Sequence, residues 1–95
     1  MSVNWKKDSI EDIKDLVHLG AIDYYTYLNS LSIVEKLDNS ILDNYAIICD
    51  KKVLSLSTEK FTIKVFENNF DVSHDNITKE FSSYEEALKY IKELV

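Results

Sequence analysis

The chain has 95 residues, 45% of them hydrophobic and 12% aromatic, which suits one compact core and leaves too little for two. It carries 17 Asp and Glu against 11 lysines, no arginine, and a formal net charge of −6. Arginine supplies the planar fork that grips phosphate and carboxylate, so an acidic chain without it is poorly suited to reading nucleic acid, transferring phosphoryl groups or clamping anionic substrates.

Met1 to Lys7 lacks the apolar stretch of a signal peptide, and no run of about 20 apolar residues follows anywhere, so neither export nor membrane insertion is expected. The first predicted element is a helix over 9–19, with Ser9 as N-cap, Asp12 at the capping-box position and Gly20 as a left-handed stop. At helical spacing Ile10, Ile13, Leu16 and Val17 share one side. Asp8, Glu11, Asp12 and Asp15 fall opposite them, within an arc of about 100°. A second helix is predicted over 22–37, with Tyr24, Tyr27, Leu28, Leu31 and Val34 as its core stripe. It follows Gly20 so closely that the two helices must fold back on or cross one another.

At Asp38-Asn39-Ser40 the period changes, and an antiparallel sheet is expected over 45–81. Tyr45 to Cys49 is apolar on both faces, as a covered strand is, and Lys52 to Ser57 alternates, with Asp50-Lys51 as the tight connection. Phe61 to Val65 alternates cleanly, Asn68-Asn69 reads as a turn, and Phe70 to Val72 with Ile77 to Phe81 extends the meander. Two overlapping capping boxes, Ser82 with Glu85 and Ser83 with Glu86, open a helix over 83–94 whose stripe is Tyr84, Ala87, Leu88, Ile91 and Leu94. The expected fold is α+β in one compact domain over 1–95: two N-terminal helices, an antiparallel β-meander of three to five strands, and a C-terminal helix packed on one sheet face.

Catalytic and metal chemistry find little support. Cys49, the only cysteine, excludes an intramolecular disulfide, and its branched apolar neighbours suit a buried thiol in a reducing, cytoplasmic setting. With Cys49 the only thiol and His18 and His74 the histidines, a Cys/His nucleophilic pair is conceivable, and a small enzyme using Cys49 or His74 is the less favoured alternative. Glu11, Asp15 and His18 share helical spacing but lack a fourth ligand, and the acids between Glu67 and Asn76 lack calcium-loop spacing. A single glycine cannot build a phosphate-cradling loop. No metal and no cofactor is expected, and the Asn76-Ile77-Thr78 sequon carries no weight without export.

What remains is charge and tyrosine. The first 48 residues hold eight acids against four lysines, and the acids of the first helix form a stripe. Tyr24, Tyr25 and Tyr27 follow beside Asp23, and tyrosine on a surface favours protein interfaces. The expectation is a non-enzymatic binding module. Its partner is a basic protein surface, with no direct nucleic-acid or membrane contact, and its contact residues are Asp8, Glu11, Asp12 and Asp15, with Asp23 and Tyr25 at the margin. A row of carboxylates can occupy a groove made for phosphates, which suits an inhibitor of a nucleic-acid-handling enzyme of the phage anti-CRISPR or anti-restriction type. The alternative is an immunity protein or antitoxin that neutralises one cognate toxin.

Overall fold

Asn4, rather than Ser9, opens the first helix. In the computed structural model, which describes residues 3–95, α1 spans Trp5–His18. The Asn4 side chain accepts a hydrogen bond from the Lys7 amide at 3.1 Å. Asn39 steadies the same turn, accepting from the Lys6 amide at 2.8 Å and donating to the Val3 carbonyl at 3.1 Å. Nothing in Trp5-Lys6-Lys7 opposes a helix, so once Asn4 caps it the helix runs through Ser9, which is fully buried and donates its hydroxyl to the Lys6 carbonyl at 2.9 Å. The other end follows the sequence. Gly20 has φ +78°, its amide bonds to the Val17 carbonyl and the Ala21 amide to the Leu16 carbonyl, the paired bonds of a Schellman stop.

Helix α2 spans Tyr24–Lys36 and is capped by Asp23, whose carboxylate accepts from the Thr26 amide at 2.7 Å. Its buried face is turned from the expected one. Val34 is buried and Tyr27 packs against the core as expected, but Thr26, Ser30 and Ile33 also face inward, while Tyr24 and Leu28 are exposed. The turn has a local cause, because the Ser30 hydroxyl donates to the Thr26 carbonyl at 2.7 Å and so becomes cheap to bury. Small side chains there, with Ser9 on α1, allow the two helices to pack closely against each other.

After a run of turns that buries Leu37 and Leu42, five strands follow: β1 (Ala46–Asp50), β2 (Val53–Ser57), β3 (Thr62–Val65), β4 (Phe70–His74) and β5 (Ile77–Phe81). They pair antiparallel in chain order, so every pairing is a hairpin. The β1–β2 turn is Lys51-Lys52, one residue later than expected, with both residues at positive φ. Asn29 on α2 clips the β3–β4 connection by donating to the carbonyls of Phe66 and Glu67. Helix α3 spans Tyr84–Leu94 and is capped by Ser83, as one of its two capping boxes requires.

The fold is therefore α+β, with all three helices on one face of a five-stranded sheet. Leu54, Leu56, Ile63, Val65, Phe70 and Val72 point into that layer. The helices lie in chain order too: α1 on β1, α2 on β2 and β3, α3 on β4 and β5. Among the described residues no helix is long and apolar enough to cross a membrane. The arrangement places α1 along the unpaired edge of the sheet.

Candidate functional site

Because α1 buries Ile13 completely and packs Ile10, Leu16 and Val17 against the core, its opposite face is turned to solvent. Asp8, Glu11, Asp12 and Asp15 are all exposed on it. Among the described residues the one basic side chain lying within 4.0 Å of a carboxylate is His74, beside Asp75, so no lysine pairs with this stripe. Lys6 is directed elsewhere, donating its ammonium to the Glu35 carbonyl at the end of α2 at 3.1 Å.

The stripe divides into two unequal sides. Glu11 borders a hollow that it shares with Asn4, Ile10 and three lysines, Lys6, Lys7 and Lys14, so its charge is offset locally. Asp12 and Asp15 instead border a shallow groove of about 460 Å³ whose other walls are Trp5, Leu16, Tyr45 and Ile47. No lysine lines it. Trp5 and Tyr45 meet edge to face, ring centroids 6.0 Å apart at 79°. The Tyr45 hydroxyl donates to Asp12 Oδ2 at 2.8 Å. Burial, then that bond, then the nearby charges of Asp12 and Asp8 push the Tyr45 phenol well above its usual value, so it stays a donor at any ordinary pH. A phenol that stays protonated through the neutral range holds the carboxylate in place.

Asp23 and Tyr25 do not line this groove. Asp23 is occupied as the α2 cap, and the Thr26 amide, helped by the charge of Lys52, lowers its carboxyl below the ordinary value. Tyr25 is 63% exposed, as expected, and Tyr24 at 62% joins it instead of entering the core, its ring resting 5.9 Å from that of Tyr27. With Leu28 they give α2 an apolar surface of its own.

Sequence reasoning missed Trp5 and Tyr45 as parts of one site. They lie 40 positions apart, and only the laying of α1 along β1 unites them. An aromatic at each entry to the N-terminal pair and the first strand was the available signal.

Cys49 and His74 are not brought together. They stand on β1 and β4, three strand spacings or about 14 Å across the sheet, and the register aligns Cys49 with Phe70, at the other end of β4 from His74. Burial and the neighbouring Asp50 raise the Cys49 thiol, which donates to the Ala21 carbonyl at 3.2 Å. His74 lies between the Lys60 carbonyl and Asp75. Among the described residues no three His, Cys, Asp or Glu side chains converge as a metal site needs. Compared with family models, curated proteins and solved structures, the chain has no significant match.

Proposed function

We propose that this chain is a non-enzymatic binding module whose α1 carboxylates occupy a basic surface on a nucleic-acid-handling protein, excluding that protein's own substrate. The observation that carries the reading is the exposed stripe of Asp8, Glu11, Asp12 and Asp15, which among the described residues has no lysine within 4.0 Å of its carboxylates. Over these positions a helix rises about 10 Å, with axial intervals of about 4.5, 1.5 and 4.5 Å between successive charges, a mean of about 3.5 Å per charge against about 3.4 Å along one strand of duplex DNA. A basic groove shaped for phosphates would meet a similar linear charge density on a rigid rod. The phage anti-CRISPR and anti-restriction inhibitors define the functional class this fits.

The test is a variant with Asp8→Asn, Glu11→Gln, Asp12→Asn and Asp15→Asn, which keeps shape and helix and removes the charge. Its affinity for a partner captured by the wild-type protein should fall at least about a hundredfold at low salt, and wild-type binding should weaken steeply as salt rises. Undiminished binding by the variant sinks the reading. The exposed apolar surface of Tyr24, Tyr25 and Leu28 favours a second reading, an immunity protein or antitoxin held by shape, for which binding persists in high salt and depends on Tyr25.

A further inference from the structure

We propose that the groove between α1 and the start of β1 is a socket for a single arginine side chain of the partner protein. The inference rests on the binding-module reading and names the chemistry by which that module would recognise its partner. The groove is mainly apolar, with Leu16 and Ile47 among its walls and the Trp5 and Tyr45 rings beside them. At its rim stand the two carboxylates of Asp12 and Asp15, one helical turn apart and unpaired by any lysine among the described residues. An apolar ligand would leave those charges uncompensated, and an anion would be repelled.

A divalent cation is poorly served as well, because two carboxylates without a third ligating side chain fall short of a coordination shell. A basic side chain meets both halves of the groove, since its methylene stem lies along apolar surface while its head reaches a carboxylate. Arginine fits better than lysine. Its guanidinium is weakly hydrated, stacks on aromatic rings and donates from several nitrogens in one plane, so it can lie against Trp5 and face Asp12 and Asp15 together. Asp12 is already oriented by the Tyr45 hydroxyl through Oδ2, and a carboxylate has further lone pairs for a second donor. The chain contains no arginine of its own, so nothing within it competes for the position.

Trp5 is the only tryptophan and forms one wall of the groove, so the protein carries its own reporter. A short peptide with one central arginine, capped at both ends and otherwise free of charged residues, is titrated into isotopically labelled protein, following the Trp5 indole resonance, Trp5 emission and the amides of α1. A second peptide carries citrulline, of the same shape without the charge, in place of arginine. The arginine peptide should shift the Trp5 indole saturably, with the citrulline peptide at least about tenfold weaker. The Asp12→Asn, Asp15→Asn variant should lose the arginine response by a similar factor while keeping a folded amide spectrum. Equal response to both peptides overturns the socket, as does no Trp5 response at all. Shifts confined to Asp8 and Glu11 overturn the socket and leave the acidic-face reading standing, whereas that reading fails separately if neutralising all four carboxylates spares partner binding.

Discussion

Tyr45 is the residue on which the local geometry turns, since one hydroxyl ties the first strand to the first helix across 33 positions. Its removal should be visible in stability as well as in shape. Tyr45→Phe keeps the ring against Trp5 and deletes the bond to Asp12, which should cost about 1 kcal/mol near neutral pH, as read from the chemical denaturation midpoint. The pH dependence gives a sharper readout. In the folded protein the phenol titrates above its unfolded value of 10.0, so its contribution is complete below pH 10 and declines as pH climbs from there toward the folded value. The wild-type protein should therefore lose stability on the alkaline side faster than Tyr45→Phe, and parallel alkaline limbs would show that the bond to Asp12 has no energetic weight.

Among the elements, the turns carry the most strain. Lys51 and Lys52 take φ of 53° and 66°, a left-handed pair that matches the twist of a two-residue hairpin but disfavours side chains with a Cβ. Replacing them as Lys51→Asn, Lys52→Gly should stabilise the protein by about 1 kcal/mol in thermal or denaturant unfolding, and destabilisation would mean that the lysines make compensating contacts. The same turn illustrates how far the sequence could be read. Alternation in Phe61–Val65 and the Ser83-to-Glu86 capping box specified their elements because each signal is local. Gly20 was legible for the same reason: only a residue without a Cβ takes φ +78° freely.

Helix α2 defeated the same logic. Its apolar count favours Tyr24 and Leu28 as core, but Ser30 hides its polarity by donating to the Thr26 carbonyl within the helix, and close packing against α1 selects small residues. The acidic stripe of α1 was readable from spacing, and all four acids are exposed. Its division into a lysine-balanced side at Glu11 and an aromatic-walled side at Asp12 and Asp15 was not, because Tyr45 and Ile47 arrive through tertiary packing.

For the whole molecule, strands and helices lie side by side in the order in which they occur in the chain. Stability is therefore distributed along the sheet, and each helix protects its own strands. Ile91 is fully buried in the layer over β4 and β5. Ile91→Ala should cost about 3 kcal/mol, a large share of what a domain of this size has, and lower the denaturant midpoint with little change in slope. A loss below about 1 kcal/mol would indicate that α3 is only loosely docked.

That ordering also has a consequence during synthesis. Phe70, Val72 and Phe81 are made before Ala87, Leu88 and Ile91, the residues that cover them. The ribosomal exit tunnel still encloses β4 and β5 while α3 is being added, so the hairpin clears the tunnel no later than its covering helix. Until α3 docks, that hairpin presents greasy rings and an unpaired strand edge to the surrounding medium. A chaperone that recognises apolar strands would find its target there, on β4 and β5, at the opposite edge of the sheet from the acidic helix.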